Sequence, residues 1–260
     1  MLKVEIQSAV ARVTLDRPEV RNAFDDALIA ALTKAFLEVS SDKSVRVVVL
    51  AGNGPAFCAG ADLNWMKRMA GYGYAENRSD AQALATMLAT LDRLPQPTIA
   101  RVHGPAFAGG TGLVAACDIA VGTPEAKFCF SEAKLGLSPA TISPYVIRAI
   151  GERMARRYFL TAEVFGAEEA HRIGLLSALV PAVNLDLAID DLSKHLLAGG
   201  PEAHVKIKDL IRAVTGRQVD DALSADTAKR IAEIRVSPEG KEGIASFLEK
   251  RKASWCSPKS

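Results

Sequence analysis

Phe57-Cys58-Ala59-Gly60-Ala61-Asp62-Leu63 and, further along, Pro105-Ala106-Phe107-Ala108-Gly109-Gly110-Thr111-Gly112-Leu113 are two runs of small residues, each set between an apolar β-like run and a helix-like pattern. Glycine and alanine put almost nothing between a backbone N–H and an approaching ligand. Each run alone is most simply a tightly packed turn. Two in the same setting can each aim one N–H at a single carbonyl oxygen, which is the requirement for an oxyanion hole built from backbone.

Working outward, residues 45–50 are a continuous β-branched run, as expected of a strand covered on both faces, and Thr98–Val102 repeats the pattern ahead of the second loop. Leu2–Gln7 and Val10–Leu15 alternate and predict a strand pair, ended by Asp16-Arg17-Pro18. A helix follows with Asp25 or Asp26 as its cap and Leu28, Leu32 and Phe36 on a buried stripe. Residues 65–77 show weak periodicity and predict a mobile segment beside the site; residues 79–94 predict a helix stopped by Pro95 and Pro97. Residues 113–117 look helical, and 119–121 and 127–130 look β-like. Helices are expected over 142–150, 152–161, 167–173 and 185–197, with more after them. Mixed strands and helices early, and helices alone late, give an α/β core with a helical C-terminal part.

The chain has 260 residues and a formal net charge of +2, so no broad field favours nucleic acid or an anionic membrane. Lys206, Lys208 and Arg212 form one modest basic face and Lys250-Arg251-Lys252 another, both expected to be solvated. The four cysteines, Cys58, Cys117, Cys129 and Cys256, lack CxxC pairing or histidines at zinc spacing, and predict free thiols in a reducing compartment. The sequence begins without a signal-peptide pattern, and no uncharged apolar run reaches the roughly 18 residues of a membrane span. The expectation is a cytoplasmic protein.

Several further motifs join the two loops. They are Asp16-Arg17-Pro18 with Arg21-Asn22-Ala23, then Cys117-Asp118-Ile119-Ala120, Lys127-Phe128 before Ser131-Glu132, Leu135-Gly136-Leu137-Ser138-Pro139, and Phe247 with Glu249-Lys250-Arg251. In this order, over nearly the whole chain, they resemble the enoyl-CoA hydratase/isomerase (crotonase) family. Within it, residues 142–161 look most similar to bacterial hydratases of branched glutaconyl-CoA thioesters such as 3-methylglutaconyl-CoA and isohexenylglutaconyl-CoA. The resemblance implies a ββα spiral core over residues 1–195 and a helical C-terminal trimerisation part over 196–260, assembled as a homotrimer or dimer of trimers. It implies an acyl-CoA substrate, no metal and no cofactor beyond the CoA the substrate carries, in fatty-acid, leucine or isoprenoid catabolism. By motif position, Ala61 and Gly109 would supply the N–H donors and Glu132 the acid–base group. Arg21, Ala59, Asp62, Leu63 and Asn64 would line the CoA path, with Phe247 and Lys250 joining from a neighbouring subunit.

One departure matters for mechanism. Family hydratases commonly carry two glutamates; Glu132 matches one, and the other falls on Gly112. Three readings stay open: Glu132 alone positions water and moves its proton, a carboxylate of the substrate helps orient the water, or the enzyme shifts a double bond instead of hydrating it. Hydration is the first expectation and isomerisation the second; RNA binding and a non-catalytic scaffold are the rivals of other classes. Ser131 either hydrogen-bonds Glu132 or ends a strand. His103 is expected to be structural, Asp62 to cap a helix and Asp118 to tie down a turn. Trp65, Met66 and Met69 line an acyl pocket or belong to the core, and Ala140 stands where many relatives have glycine.

Overall fold

The computed structural model describes residues 1–256. The strands are Leu2–Gln7 (β1), Val10–Leu15 (β2), Val47–Gly52 (β3), Thr98–Val102 (β4), Ala106–Phe107 (β5), Ile119–Gly122 (β6), Lys127–Cys129 (β7), Phe165–Gly166 (β8) and Ala178–Leu179 (β9). The helices are Asp26–Ser41 (α1), Leu63–Met69 (α2), Tyr74–Asp92 (α3), Gly109–Ala116 (α4), Ser143–Thr161 (α5), Ala167–Arg172 (α6), Leu185–Ala198 (α7), Pro201–Val214 (α8), Asp221–Val236 (α9) and Pro238–Leu248 (α10). One sheet runs β1-β2-β3-β4-β6-β9, parallel throughout except for the β1–β2 hairpin; a smaller sheet runs β5-β7-β8.

The two layers are joined by a step that recurs along the chain. A strand of the large sheet is followed by a short extended piece in the second layer, then by a helix. Thus β2 leads to Phe24 and α1, β3 to Cys58 and Ala61 and then α2 and α3, β4 to β5 and α4, and β6 to β7 and α5. Isolated parallel bridges Phe24–Ala61 and Cys58–Ala106 extend the small sheet across these turns. This is the ββα spiral expected from the resemblance. Its main core includes Phe24, Phe36, Leu50, Phe57, Leu88, Phe128 and Phe130. On the other face of the large sheet Val47, Val49, Ile99 and Val121 pack against Leu185 and Ile189 of α7. Coverage of both faces is why β3 is apolar at every position.

Four expectations change in detail. Residues 65–77 form α2 and the first turn of α3. Each helix carries its own cap, so the periodicity resets between them: Asp62 accepts from the N–H of Asn64 (2.8 Å) and Trp65 (3.3 Å), and Glu76 accepts from Gly73 N–H (2.7 Å). α4 starts at Gly109 rather than near 113, because close packing compensates the poor helix propensity of its glycines. β3 occupies Val47–Gly52 rather than 45–50, with Arg46 N–H held by Ala9 O (2.7 Å). The expected break between 150 and 152 is a kink within α5 at Gly151, φ 74°.

The helical end of the chain closes the amino ends of the parallel strands. Lys208 of α8 donates to Asp118 Oδ2 (2.7 Å) and Gln96 O (3.2 Å), and Arg46 donates to Gly199 O (2.5 Å). Gln96, Asp118 and Arg46 stand just ahead of β4, β6 and β3. The two small-residue loops leave the carboxyl ends of β3 and β4, at the opposite edge.

Candidate active site

The first loop is held from both sides. Phe24 N–H donates to Gly60 O (2.6 Å) and Phe24 O accepts from Asp62 N–H (2.7 Å). In such a parallel bridge the residue between the two partners turns its own N–H the other way, so Ala61 N–H points away from Phe24. On that other side runs the second loop. Cys58 N–H donates to Pro105 O (3.1 Å), and Phe107 N–H donates to Cys58 O (2.9 Å). Gly60, at φ 93°, lies so close that an added Cβ would stand 3.1 Å from Phe107 O.

The second loop turns its next peptide out of the ladder. Ala108 N–H still donates to Cys129 O of β7 (2.8 Å), but Ala108 has φ 47° and ψ −118°, a conformation that L-residues avoid. Such a residue costs on the order of 1–3 kcal/mol and persists where its surroundings impose it. The flip presents Gly109 N–H at the start of α4, where helix N–H groups lack intrahelical acceptors and the helix end carries partial positive charge. Among the described residues neither Ala61 N–H nor Gly109 N–H has a protein acceptor. Smallness is obligatory here. A Cβ on Gly109 would meet Phe24 Cε2 at 2.8 Å, and one on Gly110 would overlap Cys58 O and stand 2.9 Å from Cys58 Cβ.

Glu132 belongs to a 3-10 turn, Ser131–Leu135, that continues directly from β7. The Ala108–Cys129 hydrogen bond ties that strand to the flipped peptide, so the carboxylate and the second loop share one support. Glu132 Oε2 is buried and has no hydrogen-bond partner. Burial pushes its carboxyl above the usual carboxylate range, against a smaller opposing backbone hydrogen bond. Ser131 makes no side-chain bond to it, so of the two readings of Ser131 the strand-ending one describes the contacts present.

The remaining expected residues separate into groups. Asp62 caps α2 and pairs with Arg17 (3.3 Å), which also pairs with Asp25 (2.8 Å); its side chain is committed to structure. Ala59 and Ala61 are half-buried, and Leu63, Asn64 and Arg21 are exposed, so this stretch offers an accessible edge beside the loops. Asn22, beside Arg21, is fully buried and donates to Asn53 O (2.8 Å) and Ala56 O (2.9 Å), clamping the approach to the first loop. Phe247 and Lys250 are not brought to the loops: α10 packs on α8 and α9, at the amino ends of the strands. His103 Nε2 donates to Gly54 O (2.9 Å), a structural tie. Trp65 is buried in the core and bonds Asp80 (3.1 Å); it also lines a cavity of about 1020 Å³ between α1 and α3, which neither Ala61, Gly109 nor Glu132 lines, and Met69 packs on the core. All four cysteines are free, and burial holds the Cys58 thiol up at about 12. Among the described residues no three His, Cys, Asp or Glu side chains gather as a metal site, and no helix is long and apolar enough to cross a membrane.

Sequence reading missed two residues. Ala108 reads as one more small residue, and only its backbone conformation reveals it. Ile142 reads as the start of a helix, yet it fills the space beside Gly112, where an added Cβ would stand 2.9 Å from Ile142 Cβ. The absent acid is therefore matched by an apolar side chain.

Known proteins share this arrangement across the whole chain. The profile of the enoyl-CoA hydratase/isomerase family matches residues 5–258. A crystal structure of an enoyl-CoA hydratase from Shewanella pealeana is 40% identical with a TM-score of 0.95, covering 98% of this chain and 95% of that one. One from Mycobacterium smegmatis is 34% identical with a TM-score of 0.91, covering 98% and 99%. The enoyl-CoA hydratase AKT6-1 of Alternaria alternata is 35% identical over 249 residues, which is 95% of this chain and 80% of that protein. With its spiral, its paired loops and its match from end to end, this chain belongs to the enoyl-CoA hydratase/isomerase (crotonase) family.

Proposed function

We propose that the chain is an enoyl-CoA hydratase, a hydro-lyase, whose oxyanion hole is the N–H pair of Ala61 and Gly109. The observation that carries this is the opposed, acceptor-free pair of N–H groups with a buried, unpartnered carboxylate oxygen, Glu132 Oε2, on the turn that follows the adjoining strand. When water attacks the β-carbon of an α,β-unsaturated thioester, negative charge gathers on the thioester oxygen. Two preset donors stabilise that enolate, and loss of one such donor typically costs about 2.7–4 kcal/mol of barrier. Glu132 takes a proton from the attacking water as its oxygen bonds the β-carbon, then gives a proton to the α-carbon as the enolate collapses. Its raised pKa suits a group that must both accept and donate.

The acyl group we favour is a branched glutaconyl type, on the likeness carried by residues 142–161. Ile142 and Leu88 form an apolar wall over Gly112 that gives water no partner there. Orientation of the water then falls to Glu132 and to the carboxylate that a glutaconyl group itself brings. CoA runs along Arg21, Ala59, Asp62, Leu63 and Asn64, chiefly by backbone. Phe247, 82% exposed at the far edge of its own chain, and Lys250 would reach a site only in a neighbouring subunit. The exposed apolar run Ile231, Val236, Ile244, Phe247 and Leu248 on residues 196–260 suits the interface of a trimer or dimer of trimers. No metal or redox cofactor enters this chemistry.

The single carboxylate also favours a second reading, double-bond isomerisation, in which Glu132 removes a proton from C2 of a 3-enoyl thioester and returns it to C4. One experiment separates them. The purified protein is offered 3-methylglutaconyl-CoA, isohexenylglutaconyl-CoA, crotonyl-CoA and a 3-enoyl-CoA, and products are resolved by mass. Gain of one water supports hydration; unchanged mass with a moved double bond supports isomerisation. Binding of RNA with no turnover of any thioester would overturn both.

A further inference from the structure

Gly112 and Ile142 are a matched small and large pair. A Cβ on Gly112 would overlap Ile142 Cγ2, stand 2.9 Å from Ile142 Cβ and 3.8 Å from Leu88 Cδ2. Ile142 is buried and stands immediately ahead of α5. It is β-branched, hence stiff about its first side-chain torsion, and its Cβ is fixed to the backbone. Rotation of one side chain therefore cannot relieve the conflict.

The place it fills lies beside the chemistry. Residue 112 follows Gly109 by three positions on α4, and residues so spaced share a helix face. Helical side chains lean toward the N-terminus of their helix, so a side chain at 112 would extend over Gly109, whose N–H is turned outward. The 3-10 turn bearing Glu132 packs on α5 directly behind Ile142, so carboxylate and apolar wall reach the site on one connection.

We infer that Ile142 is a specificity-determining residue: it occupies the room a side chain at 112 would take over Gly109, and thereby holds the site to the single carboxylate of Glu132. This rests on the Ala61–Gly109 pair being a thioester oxyanion hole. With one carboxylate, the proton taken from water and the proton given to carbon pass through the same group in turn. Each hydration then waits on one group to complete both transfers. A second carboxylate would give the water's proton its own acceptor while Glu132 protonates the α-carbon.

The test is a volume exchange with Gly112→Glu, Ile142→Ala and both together, and Ile142→Val as the conservative control. Melting temperature, crotonyl-CoA hydration and 3-enoyl-CoA isomerisation are measured for each. Gly112→Glu alone should melt early and lose both activities, and Ile142→Val, which keeps Cγ2, should not rescue it. The double variant should melt with Ile142→Ala and hydrate about 10²-fold faster than it, the lower end of what a positioned general base contributes, with a second limb in its pH–rate profile. The inference is overturned if the double variant melts with Gly112→Glu, if it folds and gains no hydration, or if Gly112→Glu alone matches it. A wild type inactive on every CoA thioester would instead sink the hydratase and isomerase readings. A wild type that is active, beside a folded double variant without gain, would sink the role of Ile142 alone.

Discussion

Asp118 and Glu132 are carboxylates at opposite ends of the spiral, and each is answered differently. Asp118 Oδ2 accepts from Thr98 N–H (2.8 Å), Thr98 Oγ1 (2.9 Å) and Lys208 Nζ (2.7 Å). Glu132 Oε2 is buried with no partner at all. Removing a carboxylate from water is costly unless hydrogen bonds and an opposite charge replace the solvent. At the amino ends of the strands that replacement is made, and its result is mechanical: α8 is bolted to the sheet. At the carboxyl ends it is withheld beside two N–H groups that also lack acceptors. A cost retained in a cleft marks a group kept for chemistry.

The sharpest way to break this comparison is to neutralise each carboxylate in turn. Glu132→Gln should lower kcat by about 10²–10⁴-fold, the usual contribution of a general acid–base group, with KM for the CoA thioester nearly unchanged. Steady-state kinetics and thioester titration check it; an active Glu132→Gln enzyme would remove Glu132 from the mechanism. Asp118→Ala should do the reverse. It strands Lys208, whose side chain is 10% exposed; Asp118 itself is 32% exposed, so water screens the pair and the loss should be about 1–3 kcal/mol, that of a charge-assisted hydrogen bond rather than of a fully buried pair. Thermal and denaturant melts should show that loss, while kcat per folded molecule stays within a few-fold. If both variants lost stability and activity in the same proportion, the two ends would not be functionally distinct.

Much of this was legible in the residues. Alternation gave β1 and β2, the β-branched run gave a doubly covered β3, and the spacing of Leu28, Leu32 and Phe36 gave α1. The two loops were readable because the requirement there is for absence of side chain, and Gly109 and Gly110 admit nothing else. Glu132 was found by resemblance; its lack of a partner is a tertiary fact that no local pattern encodes. Ala108 was hidden because positive φ is ordinarily signalled by glycine, and here alanine adopts it. Ile142 was hidden because the empty position at Gly112 reads as a deletion until the packing shows what fills it. The 65–77 stretch misled because it spans the short α2, its end, and the capped start of α3, and that break blurs any single period.

A smaller effect sharpens the carboxyl-end half of the comparison. Ala108→Gly should relieve the strain at φ 47° and ψ −118°, partly offset by the greater freedom of glycine in the unfolded chain. Melting temperature should hold or rise. The peptide that aims Gly109 N–H would be less firmly fixed, so kcat should fall by about tenfold, since small misplacements of catalytic groups are costly. A drop in melting temperature with full activity would show that Ala108 serves packing rather than aim.

The smallest effect is in how stability depends on pH, and it isolates Glu132 without substrate. Burial raises its folded-state pKa above the unfolded value. Between those two values the folded protein holds a proton that the unfolded chain has released, so this group's contribution is greatest below the unfolded pKa and declines as pH rises through the folded one. Glu132→Gln removes the decline. The variant should therefore melt slightly above wild type at neutral pH, with the gap closing as pH falls into the ordinary carboxylate range. Comparing the two proteins cancels the opposite acid-side trend of Glu169 and Glu242, which their arginine partners hold down at about 2. The ascending limb of the wild-type pH–rate profile should lie in the window where the melting gap opens, because one ionisation governs both. A gap that stays constant with pH would mean that Glu132 titrates alike in both states, and the carboxylate at this end would then be as well answered as Asp118.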